Sequence, residues 1–254
     1  MKQIVLITSF IICLFTCNAQ LVNVESQRIQ SDSVRRSGNA NLSFSYQENN
    51  NKSLIQLRSS VVYQWKTKSL KDILLVLGNY NFSRTQVQRL SNSAFGHVRY
   101  NRKLSDLVRY ELYSQVQYNQ LLNLRVRYLT GTGLRFKFRS KKLFKSYLGI
   151  SAFYEYEENQ ELTRTFINDF RMSNYLVLSL VLPKSKGELT STTYYQPNFE
   201  RLNDFRISNQ TILVVNFTNR LAFTSSFSYF FDRFPPANIA QETINFENGI
   251  RLRL

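Results

Sequence analysis

The chain has 254 residues and a formal net charge of +16, with 15 tyrosines, 20 phenylalanines, eight glycines, two cysteines and one histidine. Both cysteines, Cys13 and Cys17, fall in the first 20 residues, which excludes a disulfide scaffold or a thiolate metal site in everything that follows them. Past those residues no stretch approaches the ~18 successive apolar residues that a spanning helix needs, so the chain can enter a bilayer only as a closed barrel.

The opening "MKQIVLITSFIICLFTCNAQ" sets Lys2 before an apolar run from Ile4 to Phe15 and ends on Cys17-Asn18-Ala19. This pattern predicts a secretory signal over residues 1–19, cleaved after Ala19. A lipoprotein signal ending at Cys17 fits less well, because Phe15 and Thr16 are bulkier than the residues usually found before a lipidated cysteine. Residues 20–36, "QLVNVESQRIQSDSVRR", are expected to form a flexible periplasmic segment. Folding into the lumen and extending a strand are the two alternatives.

Residues 37–254 carry alternating runs that recur along the chain, and period-2 alternation marks a two-sided strand. In the first run Ala40, Leu42, Phe44 and Tyr46 oppose Asn41, Ser43, Ser45 and Gln47. In the second, Ile55, Leu57, Val61, Tyr63 and Trp65 oppose Gln56, Arg58, Ser60, Gln64 and Lys66. The third, Leu70 to Ser83, alternates only in its second half, since "ILLVL" is apolar on both faces.

The fourth run, Ala94 to Arg102, presents Gly96, Val98 and Tyr100. The fifth, Leu107 to Tyr118, sets Val108, Tyr110, Leu112 and Val116 against Arg109, Glu111, Gln115 and Gln117. The sixth, "NLRVRYLTGTGLRFKF" from Asn123 to Phe138, puts Leu124, Val126, Tyr128, Leu134, Phe136 and Phe138 on one face. Arg125, Arg127, Gly131, Gly133, Arg135 and Lys137 take the other.

Further runs cover Ser146 to Tyr156, Phe166 to Leu182, Leu189 to Pro197, Phe205 to Phe217, Leu221 to Phe231 and Thr243 to Leu254. Twelve is an even number, as expected of a bacterial single-chain barrel. The segments "RTQVQRLSNS", "EENQELTR", "PNFERLND" and "RFPPANIAQE" are expected as outer loops, longer than the turns at the other end. Pro197, Pro235 and Pro236 then mark loops leaving the wall, because proline cannot donate to a ladder. The predicted fold is therefore all-β: a transmembrane antiparallel up-and-down β-barrel of about twelve strands.

With the apolar parity toward lipid, the expected lumen-lining residues are Arg58, His97, Arg99, Arg109, Glu111, Arg125, Arg127, Arg135, Lys137, Arg171, Arg206 and Arg251. Glu155, Asp169, Asp232 and Glu247 lie on or near the same face. A basic aqueous path would favour small anionic solutes. A hydrogen-bonded lattice filling the barrel is the competing and favoured expectation, because twelve strands fall between the ~8 that side chains can fill and the ~16 that leave a channel.

Nucleic acid is not expected as a partner, since the chain is exported and its cations alternate with apolar residues. A wall-mounted lipase would need a Ser with a His base and an orienting partner. His97, in "FGHVRY", is the only histidine, and Arg99 stands two residues on. No catalytic, cofactor or metal site is expected. A lipase-like barrel enzyme and a soluble periplasmic β protein binding lipid or anionic glycan are the alternatives.

The segments "NVESQRI", "LLVLGNYNFSR", "HVRYNRKLSDLVRYELYSQVQYNQ", "RYLTGTGLRFKF", "YYQPNFERLNDFRI" and "DRFPPAN" resemble the family of salt-induced outer-membrane proteins, domain of unknown function 481. The resemblance spans the mature chain and is densest from His97 to Phe138. It implies an outer-membrane β-barrel without a defined biochemical activity or a catalytic motif, and the sequence as a whole is expected to form a monomeric barrel in a gram-negative outer membrane. Its partners would be outer-membrane lipid and, during assembly, the barrel-insertion machinery. Barrels of this kind usually end on an aromatic residue, whereas this sequence ends "GIRLRL".

Overall fold

In a computed structural model the protein is described at Val24 and over residues 35–252, except 50–51, 86–88, 141–142, 161–165, 184–185, 219–220 and 236–238. The expected signal over 1–19 lies outside the described residues. All twelve expected runs are strands: β1 Arg36–Asn49, β2 Lys52–Lys66, β3 Asp72–Thr85, β4 Arg89–Lys103, β5 Val108–Asn119, β6 Leu124–Ser140, β7 Phe144–Asn159, β8 Phe166–Val181, β9 Gly187–Pro197, β10 Phe205–Asn216, β11 Leu221–Asp232 and β12 Glu242–Leu252. Each pairs antiparallel with its sequence neighbour, in the unbroken order β1 to β12.

Among the described residues no ladder joins β12 to β1. Leu42, Phe44 and Ile250 on these two strands are 77%, 68% and 74% exposed, the highest values of any large apolar side chain. The sheet nevertheless curls round an interior. Leu122 and Leu124, at the start of β6, pack against Phe230 of β11 and Ile239 beyond it.

The alternation decides what this interior contains. The apolar parity points outward, where Val98, Leu112, Tyr128, Ile150, Phe170 and Phe246 are exposed. Inside, Lys66, Arg99, Glu111, Arg135, Glu155, Arg171 and Arg206 are all buried. Burying charges beneath an apolar exterior inverts the arrangement of a water-soluble domain. It suits a wall with hydrocarbon outside.

One set of ends carries the connections 67–71, 104–107, 141–143, 182–186 and 217–220, and the other carries 50–51, 86–88, 120–123, 160–165, 198–204 and 233–241, of which the last three are the longest in the chain between strands. At this second end "RTQVQRLSNS" is not the expected loop. β3 runs on to Thr85 and β4 begins at Arg89, so most of that segment belongs to a ladder, with a register shift at Ser83/Arg84. Polar alternation through Gln88 to Ser93 looks like a loop because it lacks the apolar half of the signal.

Candidate functional site

Register assembles a lattice of charge near the long-connection end of the lumen. Arg127 of β6 stands directly opposite Glu157 of β7, and Arg206 of β10 opposite Asp232 of β11. Glu155 of β7 is opposite Asp169 of β8, a like-charged pair that would repel without cations between. Arginines from three strands supply them.

Glu155, 1% exposed, is the hub. Arg206 donates from Nη1 to both Glu155 oxygens at 2.8 and 2.9 Å. Arg127 Nε is 2.9 Å from the Glu155 carboxylate and Arg171 Nε 3.3 Å. Each cation is held a second time. Arg127 donates to Glu157 at 2.6 Å, Arg206 to Asp232 at 2.9 Å, and Arg171 to Asp169 and Asp204 at 3.0 Å. Arg201, 63% exposed in the 198–204 connection, closes over Asp204 at 3.3 Å.

Five carboxylates thus face four guanidinium groups, Arg201 included, so this height of the lumen is not basic. The expectation of a cationic path does not hold here. Arg127, Arg171 and Arg206 each meet Glu155 of β7, at least sixteen residues away in sequence.

A second set lies deeper. Glu111 accepts from Asn101 Nδ2 at 3.0 Å and from Tyr175 Oη at 2.7 Å, with Arg99 Nη1 3.7 Å away. Arg99 lies 5.3 Å over the Tyr113 ring and Arg135 4.2 Å over Tyr147, an attraction between cation and ring face. His97 is stacked between Phe95 and Tyr113, its Nδ1 3.3 Å from Gln115 Oε1. At that nitrogen an amide stands where a triad places a carboxylate.

The two sets border a narrow cavity of about 40 Å³, lined among others by Val24, His97, Tyr113, Tyr194, Gln196, Arg127 and Arg206. A space of that size has room for water. It does not contain a continuous charged track.

The remaining expected lumen residues divide. Arg58, Arg109 and Lys137 keep the inward parity, opposite Ser43, Lys103 and Tyr147 respectively, but Arg58 and Lys137 are exposed rather than enclosed. Arg251 pairs in register with the inward Ala222, and its side chain lies outside the described residues.

Arg125 requires correction. It is outside the lumen, whereas Leu124, expected on the lipid face, is 1% exposed inside. Asn119 caps a short 3-10 turn, Gln120–Leu122, and Asn123 adopts the left-handed conformation at φ 55°. The ladder then skips Arg125 between Leu124 and Val126. A bulge inserts one residue and reverses the parity on its far side. Arg125 instead meets Glu158 at 3.1 Å with its side chain 49% exposed. Arg125→Ala should accordingly change stability by no more than ~0.5 kcal/mol, as exposed pairs do. Arg127→Ala, which strips buried Glu155 and Glu157, should cost ~3 kcal/mol or more. Denaturant midpoints of the two variants check the bulge.

The chain matches, over residues 40–247, the family described as "Protein of unknown function, DUF481". It belongs to that family. No curated protein matches this DUF481 chain. Among solved structures, a bacterial polysaccharide outer-membrane secretin is similar at 9% identity and TM-score 0.50, over 86% of this chain and 91% of that one. The NanC porin matches at 12% identity and TM-score 0.49, over 86% and 98%. The translocator domain of the autotransporter NalP from Neisseria meningitidis matches at 12% and 0.42, over 86% of each chain. For this DUF481 chain such likeness concerns the fold alone.

Proposed function

We propose that the protein resides in a bacterial outer membrane as a non-enzymatic barrel whose lumen is filled rather than open, contributing to envelope structure with at most narrow permeation. The observation that carries this reading is the inverted wall: exposed Leu42, Phe170 and Phe246 outside, and ion-paired Glu155, Arg171 and Arg206 inside. Lipid and the insertion machinery are its partners in that setting, and hydrocarbon requires β1 and β12 to pair, because an open edge finds no hydrogen bonds there. The neutralised lattice argues against small anionic solutes as a selected cargo.

In planar bilayers the purified protein should show no steady conductance steps over many insertions. Stable anion-selective steps would sink the filled-lumen reading. Fractionation addresses location separately, since recovery in a detergent-free periplasmic supernatant is incompatible with membrane residence.

A further inference from the structure

Along β2–β4 the lumen wall carries an apolar patch, where Val62, Leu75, Leu77 and Phe95 point inward and are 8%, 2%, 3% and 7% exposed. An apolar patch on an aqueous lumen has no role in lipid contact, and leaving it wet is unfavourable by ~25 cal/mol per Å². Its cover is visible. Val24, 3% exposed, packs into the same cluster.

Chain continuity fixes where this residue comes from. The Arg35 carbonyl accepts from Lys66 N at 2.7 Å, which pins the entry to β1 at the rim of the short-connection end. Lys66 and Val62 share the inward face of β2 four residues apart, a rise of ~13 Å. The eleven residue steps from Arg35 back to Val24 can reach up to ~39 Å when extended. The connection to the patch is therefore made with slack.

We propose that the apolar patch of β2–β4 is an intramolecular docking site, and that its occupant is this chain's own segment preceding β1, seated through Val24. The lumen is then taken up from both ends: the arginine lattice at the long-connection end and Val24 at mid-height. Val24 also lines the cavity beneath the lattice, so the docked segment removes space that a solute would otherwise use. This inference stands apart from the proposed location, because docking can be measured in micelles whichever membrane the protein inhabits.

Accessibility of position 24 is the test. Cys13 and Cys17 are the only cysteines, so with both replaced by serine, V24C in the full folded chain is a lone reporter. A polar maleimide should label it at least about tenfold more slowly than S105C, in the exposed 104–107 turn, because reaction must wait for local opening. Pairing V24C with V62C, L75C or L77C in turn should give a product with a short bifunctional thiol reagent for at least one pair. V24C labelled as fast as S105C overturns the proposal, as does failure of every pair in chains whose heat-modifiable mobility shows them folded.

Discussion

Glu155→Ala should be the most damaging single substitution in the lumen, lowering stability by ~3–5 kcal/mol, the range seen when one partner of a buried ionic cluster is removed. The alanine leaves Arg127, Arg171 and Arg206 in place with their shared acceptor gone. Asp232, Asp204 and Glu157 still hold Arg206, Arg171 and Arg127 respectively, so the barrel loses its cross-lumen link rather than every pair. Glu155→Gln keeps an acceptor oxygen and should fall between wild type and alanine. Glu155→Leu combined with Arg206→Met should recover part of the loss, because an acid and a base leave together.

The readout is the guanidinium midpoint in micelles, followed by fluorescence of Trp65, the only tryptophan. Salt supplies a control. A buried lattice is poorly screened, so the deficit should be similar at low and high ionic strength. The exposed Lys103–Asp106 pair in the 104–107 turn behaves oppositely. The Lys103 ammonium donates to Asp106 and holds its carboxyl below the ordinary value, yet the site is wet and its removal should leave the midpoint nearly unchanged. Equal losses from Glu155→Ala and Asp106→Ala would show that the lattice is not a stability element.

The wall was legible because one physical rule wrote it. Where one face is apolar and the other polar, alternation is strict, as in Ala40, Leu42, Phe44 and Tyr46 of β1 against Asn41, Ser43, Ser45 and Gln47. That rule fails where the ladder slips. Leu124 and Arg125 have the expected alternation, but the left-handed Asn123 and the Asn119 cap shift the phase by one residue. The asparagines were the available signal, since both favour turns over strand interiors.

Charge balance was less legible still. The excess of arginine is local in sequence, whereas its neutralisation is not: Arg206 finds Glu155 fifty-one residues away, and Arg171 finds Asp204 thirty-three away. Parity could place Glu155 and Asp232 on the inner face, but no spacing rule brings β7 to β10 across a lumen. The "ILLVL" run offered a cleaner clue. Its inward half, Ile73, Leu75 and Leu77, is apolar and buried, and Leu75 and Leu77 share a cluster with Val24.

Gly133→Ala should destabilise the barrel by ~3 kcal/mol, the upper end of what an overpacked methyl costs, although it adds a single carbon to a residue with ordinary strand geometry. Gly133 sits on the inner face between Glu111 and Ser151. A Cβ there would overlap the Ser151 Cβ, lie 2.5 Å from the Ile150 carbonyl oxygen and 2.7 Å from Ser151 Cα. Backbone cannot swing aside, so β6 and β7 would have to separate.

The neighbouring glycines show what the close approach achieves. Gly131 is opposite Tyr113, and Gly149 is opposite Tyr175; each ring occupies the hollow over its glycine. Lying flat, Tyr113 of β5 reaches across β6 to Ser151 of β7 at 3.1 Å. Tyr175 of β8 reaches across two strands to Glu111 of β5 at 2.7 Å. Aromatic cover of a strand glycine is a recurrent stabilising pair in sheets, and here it also delivers a donor to a buried carboxylate.

Gly149→Ala meets a side chain instead of backbone. The Tyr175 ring can turn away, and the loss is then its hydrogen bond to Glu111, ~1–3 kcal/mol for a buried acceptor left short of a donor. Gly96→Ala is the control on the outer face, where the new carbon meets only Val116 Cγ1 at 3.3 Å; its midpoint should move by less than ~1 kcal/mol. The expected order of midpoints is Gly96→Ala above Gly149→Ala above Gly133→Ala. If all three coincide, the inner glycines are not what lets the tyrosines cross the lumen wall.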